Sequence, residues 1–109
     1  MQARASKDTM QIEYGTNREY FAVRVANEDM KNANINRGAI VVIRKQRFAE
    51  SGNIVLALHN GKVCFRYYKE QDGEIYLTAA NNEILPVLVR KTDNFMILGK
   101  ACEIRIKEL

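Results

Sequence analysis

The stretch GNIVLALHNGKVCFRYY, residues 52–68, decides the fold of this chain. Its two halves are rich in apolar and β-branched residues, and His59, Asn60 and Gly61 separate them. An Asn followed by a Gly readily adopts the positive φ angles of a two-residue hairpin turn. The stretch therefore predicts two antiparallel strands, residues 52–58 and 62–68, joined by a tight turn.

Strand and turn signals continue on both sides of this hairpin. Apolar and polar side chains alternate along Tyr20–Val25, which is typical of a strand with one buried face. Residues 40–44 are apolar up to the final arginine, which is typical of a strand covered on both faces. Asp-Gly predicts a second hairpin at residues 71–74, and a last long strand is predicted over residues 95–107. Residues 26–38 are rich in Asn and Asp, whose side chains compete for backbone hydrogen bonds, so we expect a loop or one short helical turn.

These elements predict an all-β domain of coiled antiparallel sheets that is partly barrel-like, because one flat sheet could not cover both faces of its own apolar strands. Gly99 interrupts the last strand near its start, where a bulge or sharp bend is the usual reason for a glycine. Residues 1–16 are polar and lack periodicity, so they are predicted to be a flexible tail or a linker remnant. Residues 17–109 then form one domain.

Composition limits the class of protein. No apolar run approaches the roughly 20 residues that span a bilayer, and the first residues lack the apolar segment of a secretory signal. We therefore expect a cytoplasmic protein without membrane contact. Two cysteines and one histidine are too few for a disulfide framework or a zinc site, so no cofactor is predicted. The net charge of +4 is spread along the chain, as on an ordinary solvated surface.

Six short motifs then occur in a recognisable order. They read VANEDMK (25–31), INRGAIVVI (35–43), SGNIVLA (51–57), NGKVCFRYY (60–68), NNEILPV (81–87) and FMILGKA (95–101). None is specific alone, but their order and spacing resemble the C-terminal domain of the LexA, UmuD and lambda-type repressor family from residue 20 to residue 106. The resemblance implies the LexA/signal-peptidase-like fold.

The resemblance fails at the catalytic positions. Members of that family cleave themselves with two catalytic residues. One is a serine that directly precedes a methionine, and the other is a lysine in the strand after the hairpin. Here Asp29 precedes Met30, and Arg66 stands at the lysine position. Arginine stays charged below a pH of about 12 and cannot act as a base. The Ala-Gly or Cys-Gly pair that relatives cleave does not occur in this sequence. We therefore expect a degenerate peptidase that is not an enzyme.

The double replacement suggests an ion pair. A carboxylate and a guanidinium at the two former catalytic positions can form two parallel charge-assisted hydrogen bonds. In the alternative, Asp29 and Arg66 point independently into solvent. Cys64 shares a strand face with Arg66 and either lines the former cleft or serves as a small apolar filler. His59 is a general-base candidate or, more simply, an exposed loop residue.

The resemblance implies a non-cleaving C-terminal dimerisation and regulatory domain of a bacterial or phage transcriptional repressor. Such a homodimer would bind palindromic DNA through an N-terminal helix-turn-helix domain that this sequence lacks. Without self-cleavage in an SOS response, derepression would need another trigger, such as a regulatory protein partner. Two alternatives stay open: an active self-cleaving peptidase with an unfamiliar nucleophile, and a small β-barrel that binds single-stranded nucleic acid through basic and tyrosine side chains.

The closing strand supplies the candidate dimer surface. In relatives, the segment that resembles residues 95–101 contributes much of the dimer interface. The candidate residues here are apolar side chains of that strand, and ordinary core is the alternative interpretation. They are Met96, Leu98, Cys102, Ile104 and Ile106.

Overall fold

The computed structural model describes residues 10–12 and 19–105 of the chain. This part contains eight β-strands and one short 3-10 turn, Lys31–Ala33. The strands are β1 (Met10–Ile12), β2 (Tyr20–Val25), β3 (Ile40–Lys45), β4 (Ile54–His59), β5 (Lys62–Gln71), β6 (Glu74–Thr78), β7 (Val87–Val89) and β8 (Phe95–Arg105). The all-β class predicted from the sequence is confirmed. Over the described residues, no helix is long and apolar enough to cross a bilayer.

All eight strands belong to one antiparallel sheet. Their order is β1-β2-β3-β8-β4-β5-β6-β7, so the closing strand β8 lies between β3 and β4 near the middle of the sheet. The two edge strands are β1 and β7, and no pairing among the described residues joins them into a closed barrel.

Apolar side chains are buried on both faces of this sheet. On β4, Val55 and Ala57 belong to one buried cluster and Leu56, which points to the opposite face, belongs to another. The larger cluster also includes Met30 and Ile35 from the loop between β2 and β3. The sequence argument that both faces of the apolar strands need cover is thus confirmed.

Both predicted hairpins are present, and their turns have the expected backbone. Asn60 and Gly61 have φ angles of 50° and 86°, and Asp72 and Gly73 have 54° and 78°. Two successive positive φ angles match the twist of the strands that such a turn connects. β5 extends to Gln71, three residues beyond the prediction, because its pairing with β6 continues up to the second turn.

Gly99 lies where β8 passes close to β3. A Cβ atom at this position would clash with Cγ2 of Ile43 and with the carbonyl oxygen of Arg44. The pairing register of β8 shifts by one residue with each neighbouring strand. Leu98 is the extra residue in the pairing with β4, and Cys102 is the extra residue in the pairing with β3. The predicted bulge is therefore confirmed, as a pair of irregularities on either side of the glycine.

Two short strands were not predicted. β1 falls within residues 1–16, the segment predicted as a tail, and its Met10 is paired with Val25 of β2. Residues 1–9 and 13–16 lie outside the described part. β7 pairs with β6 at the other edge. Three residues are too few to show an alternating pattern, so both strands depend on a neighbour that the local sequence does not reveal.

Candidate functional site

The loop between β2 and β3 carries Asp29. Its base is closed by two backbone hydrogen bonds, from Gly38 N to the Val25 oxygen (2.8 Å) and from Val25 N to the Ala39 oxygen (2.9 Å). Inside the loop, Met30 and Ile35 form a β-bridge and are almost completely buried. Asp29 therefore lies between the exposed Glu28 and the buried Met30, which anchors the loop.

Residues that follow β6 hold this loop from the other side. Asn32 N donates to the Ala80 oxygen at 2.8 Å, and Ala80 N contacts Sδ of Met30 at 3.2 Å. The side-chain amide of Asn81 donates to the Glu28 oxygen at 2.9 Å, and its Oδ1 accepts from Glu83 N at the same distance. The Asn81 and Glu83 motif noted in the sequence thus fixes the segment that precedes Asp29.

Arg66 lies in the middle of β5, next to an open part of that strand. On one side it pairs with Val55 of β4, but β6 joins the other side only from Tyr67 onward. The Arg66 side chain uses this gap, because its Nη1 donates to the carbonyl oxygen of its own neighbour Phe65 at 2.7 Å.

Asp29 and Arg66 meet at this gap. Arg66 Nη1 donates to Asp29 Oδ2 at 3.2 Å, and the side chains are 15% exposed for Arg66 and 30% exposed for Asp29. The predicted pair is confirmed, and the alternative in which both groups point independently into solvent is wrong. The pair does not use the two parallel hydrogen bonds that it could form, because Arg66 Nη1 donates both to Asp29 and to the Phe65 oxygen. Since both groups keep some contact with water, the net stabilisation is about 1 kcal/mol.

Cys64 is partly buried beside the pair. It packs against the smaller apolar cluster, and this burial raises the pKa of its thiol. The positive charge of Arg66 acts in the opposite direction, and the negative charge of Asp29 raises the pKa further. A thiol with a raised pKa is a poor nucleophile at neutral pH, so the structure favours the apolar-filler interpretation.

His59 was expected in an exposed loop, and this expectation is wrong. It is the last residue of β4, and its Nε2 lies 2.9 Å from Asp93 Oδ2, with both side chains 16% exposed. Its ring also lies edge-on to Phe95, with 6.1 Å between the ring centroids. Asp93 is 34 positions away in the sequence, and no local signal could have identified it.

The His59 contact changes the acidity of Asp93. Its hydrogen bond with His59, then those with the Arg90 backbone N–H and the Asn60 side chain, lower the pKa of the Asp93 carboxyl to about 2. His59 therefore serves to connect the first hairpin with the segment between β7 and β8. Over the described residues, no three His, Cys, Asp or Glu side chains come together in a possible metal site.

The candidate dimer residues lie on a face of the sheet, because β8 is an interior strand. Met96 is 44% exposed, Cys102 and Ile104 are also exposed, and Leu98 packs against the larger cluster. Ile106 lies outside the described residues. The extra residues Leu98 and Cys102 interrupt the alternation of the strand, so the candidates do not form one continuous stripe. Their role in a dimer stays a prediction.

Comparisons with known proteins agree with the resemblance seen in the sequence. Residues 2–102 match the family described as Peptidase S24-like. The chain is 37% identical over 82 residues to the LexA repressor of Thermotoga neapolitana, covering 75% of this chain and 41% of that protein. It is 39% identical over 82 residues to the LexA repressor of Pediococcus pentosaceus, covering 73% of this chain and 37% of that protein.

A third relative is the LexA repressor of Petrotoga mobilis, 38% identical over 86 residues that cover 77% of this chain and 42% of that protein. The chain spans about two fifths of the length of these relatives. The match to the family nevertheless extends over most of the chain. The chain belongs to the Peptidase S24-like family.

Proposed function

We propose that this chain is a non-cleaving C-terminal dimerisation and regulatory domain of a bacterial or phage transcriptional repressor. Membership of the Peptidase S24-like family and similarity to LexA repressors support the repressor context. The observation that carries the loss of cleavage is the contact between Asp29 and Arg66. These are the two residues that the sequence resemblance aligns with the catalytic serine and lysine.

The chemistry of the pair supports this proposal. A serine-lysine dyad needs a hydroxyl group as nucleophile and a neutral amine that takes its proton. The Arg66 guanidinium is always protonated and cannot take a proton from anything. The Asp29 carboxylate is engaged by that guanidinium at 3.2 Å, so each group satisfies the other instead of activating a substrate.

The rest of the site supports retention of the loop without its reaction. Met30 anchors the loop in the core. The Asn32 N–H donates to the Ala80 oxygen, and the Asn81 side-chain amide donates to the Glu28 oxygen, so the loop is held against residues 80–81. In this proposal the Asp29–Arg66 pair replaces the dyad as a structural contact between the loop and β5. Derepression then requires an external event, such as binding of a regulatory protein. DNA binding would depend on a helix-turn-helix domain in the same protein.

Absence of self-cleavage is tested by intact-mass spectrometry of the full-length repressor that carries this domain. The protein is incubated for a day at neutral pH and at about pH 10, where a dyad lysine whose pKa is lowered by burial would be neutral. We expect one intact species at both pH values. A D29S/R66K double variant tests whether these two positions are the catalytic ones. A single internal cut in the unmodified protein would overturn the proposal.

Dimerisation is tested by light scattering of the same protein at micromolar concentration. We expect a dimer, and we expect Ile104→Glu to weaken it because the side chain is apolar, exposed and on the candidate surface. The matched control is Leu85→Glu, which changes another exposed apolar residue outside that surface. A monomer at every concentration would remove the dimerisation role.

A further inference from the structure

Two neighbouring grooves share the side chains of Phe48 and Ala49. The first groove has a volume of about 720 Å³ and lies between the start of β2, the end of β3 and the middle of β8. The second has a volume of about 350 Å³ and lies between β8 and the residues of β5 and β6. Neither groove includes Asp29 or Arg66, so this surface is separate from the site described above.

The first groove is basic. Among its lining residues are three cations, Arg44, Lys45 and Lys100, and a single acid, Glu50. Arg44 and Lys100 are direct cross-strand partners on β3 and β8. Like charges at directly opposed positions destabilise a sheet. Over the described residues neither side chain forms an ion pair, so the structure keeps two repelling cations side by side.

The second groove is mainly apolar. Its apolar lining includes Ile75, Phe95 and Ile97, and its charged lining residues are Arg47 and Glu70. Phe48 is 72% exposed and Met96 is 44% exposed. Aromatic side chains next to well-packed apolar pockets are frequent energetic centres of protein interfaces.

The segment that carries Phe48 is held in place by polar contacts. Arg47 Nη1 donates to the carbonyl oxygens of Ile97 and Leu98 at 3.5 and 3.3 Å. Gln46 Nε2 donates to the Phe48 oxygen at 2.8 Å. The Phe48 ring therefore projects from a fixed backbone, which lowers the entropy cost of binding something against it.

We propose that the two grooves form one docking surface for an extended acidic segment of a partner protein. Carboxylates of that segment lie over Arg44 and Lys100, and a neighbouring apolar side chain packs against Phe48 and Ile97. Charge complementarity selects an acidic ligand, because an anion relieves the repulsion between the two opposed cations. A nucleic acid is a poorer occupant, because the charged residues that line the second groove are one cation, Arg47, and one acid, Glu70. A phosphate backbone would need a continuous positive path.

A second copy of the chain is a poorer occupant, since the same face of a copy brings the same basic residues. The surface shares Met96 and Cys102 with the candidate dimer surface, while Leu98 and Ile104 lie outside it. Peptide binding and oligomeric state are therefore measured together. Failure of peptide binding would leave the proposals on cleavage and dimerisation untouched.

The test selects ligands for the whole 109-residue chain from a displayed library of random 12-residue peptides. We expect enrichment of Asp and Glu next to Phe, Leu or Met. The enriched peptide with the highest display count is then labelled, and its affinity is measured by fluorescence anisotropy. We expect Arg44→Glu and Phe48→Ser each to weaken binding at least tenfold, and 0.5 M salt to weaken it as well.

Two controls make the result specific. Lys91→Glu reverses another exposed charge outside both grooves, and it should leave the affinity within about twofold. Urea unfolding shows whether Arg44→Glu and Phe48→Ser are folded. If either is not, the milder Arg44→Gln or Phe48→Leu, respectively, replaces it. The proposal is overturned if the selection shows no acidic enrichment, or if the peptide affinity is unchanged by both substitutions. It is also overturned if a single-stranded 12-mer DNA binds more tightly at the same residues, or if peptide binding is lost as the chain dimerises over the grooves.

Discussion

Two polar side-chain contacts connect loops to the first hairpin, and they differ in how they are built. In one, Arg66 contacts Asp29 at 3.2 Å through a nitrogen that it also shares with a backbone oxygen. In the other, Asp93 Oδ2 lies 2.9 Å from His59 Nε2 and also accepts a hydrogen bond from the Arg90 backbone N–H at 2.9 Å. The first is held mainly by the packing beneath its loop. The second is held by hydrogen bonds that converge on one carboxylate.

The largest effect is expected from removing the packing beneath the first pair. Met30 is 2% exposed and joins the Asp29 loop to the larger apolar cluster. Met30→Ala should lower the free energy of unfolding by about 2–4 kcal/mol, because it leaves a cavity where the side chain was. Urea unfolding followed by circular dichroism measures this change. A loss below about 1 kcal/mol would show that the loop is held by its polar contacts instead.

A smaller effect is expected from the charges of the first pair. A double-mutant cycle with Asp29→Asn and Arg66→Met should give a coupling free energy of about 1 kcal/mol, since both groups keep some exposure to water. Each variant is unfolded in urea at low salt and at 0.5 M salt. If the stability losses of the two single variants add up to the loss of the double variant, the contact contributes nothing measurable. Their additivity would also weaken the claim that the pair replaces a catalytic dyad.

These two arrangements also differ in how much of them could be predicted. Tyr20–Val25 and the two hairpins follow from local periodicity and from Asn-Gly and Asp-Gly turns, and they appear with only small changes in length. Asp29 and Arg66 were brought together by the resemblance to a family, because no local pattern links positions 37 residues apart. His59 and Asp93 had no such guide, so their contact was missed.

The irregularities of β8 show the same limit. Gly99 indicated a disturbance in the strand, but the extra residues Leu98 and Cys102 depend on how closely β8 lies against both neighbours. That approach is a property of the assembled sheet. Alternation along the strand predicted that Cys102 and Ile104 share one face. The register shift at Cys102 interrupts that face.

The second pair should respond to pH in a defined window. The pKa of Asp93 is lowered from 3.8 to about 2 in the folded chain, so its ionised form favours folding. This contribution is complete above about pH 4 and is lost as the pH falls to about 2. The stability difference between the unmodified chain and Asp93→Asn should therefore shrink between pH 4 and pH 2. Urea midpoints measured in steps across this range test it, and a constant difference would contradict the prediction.

The smallest effect should come from a contact in which the charges repel. Arg44 opposes Lys100 directly, so the sheet holds a like-charge pair at this position, in contrast to the opposite charges of Asp29 and Arg66. Arg44→Thr should raise the free energy of unfolding by about 0.3 kcal/mol at low salt, because it removes the repulsion and adds a β-branched residue. The matched control is Lys69→Thr, an exposed strand residue whose cross-strand partner is Tyr76. Since both variants gain the threonine, any excess in Arg44→Thr that disappears in 0.5 M salt is due to charge. Equal gains would show that Arg44 and Lys100 do not repel strongly enough to favour an anionic ligand.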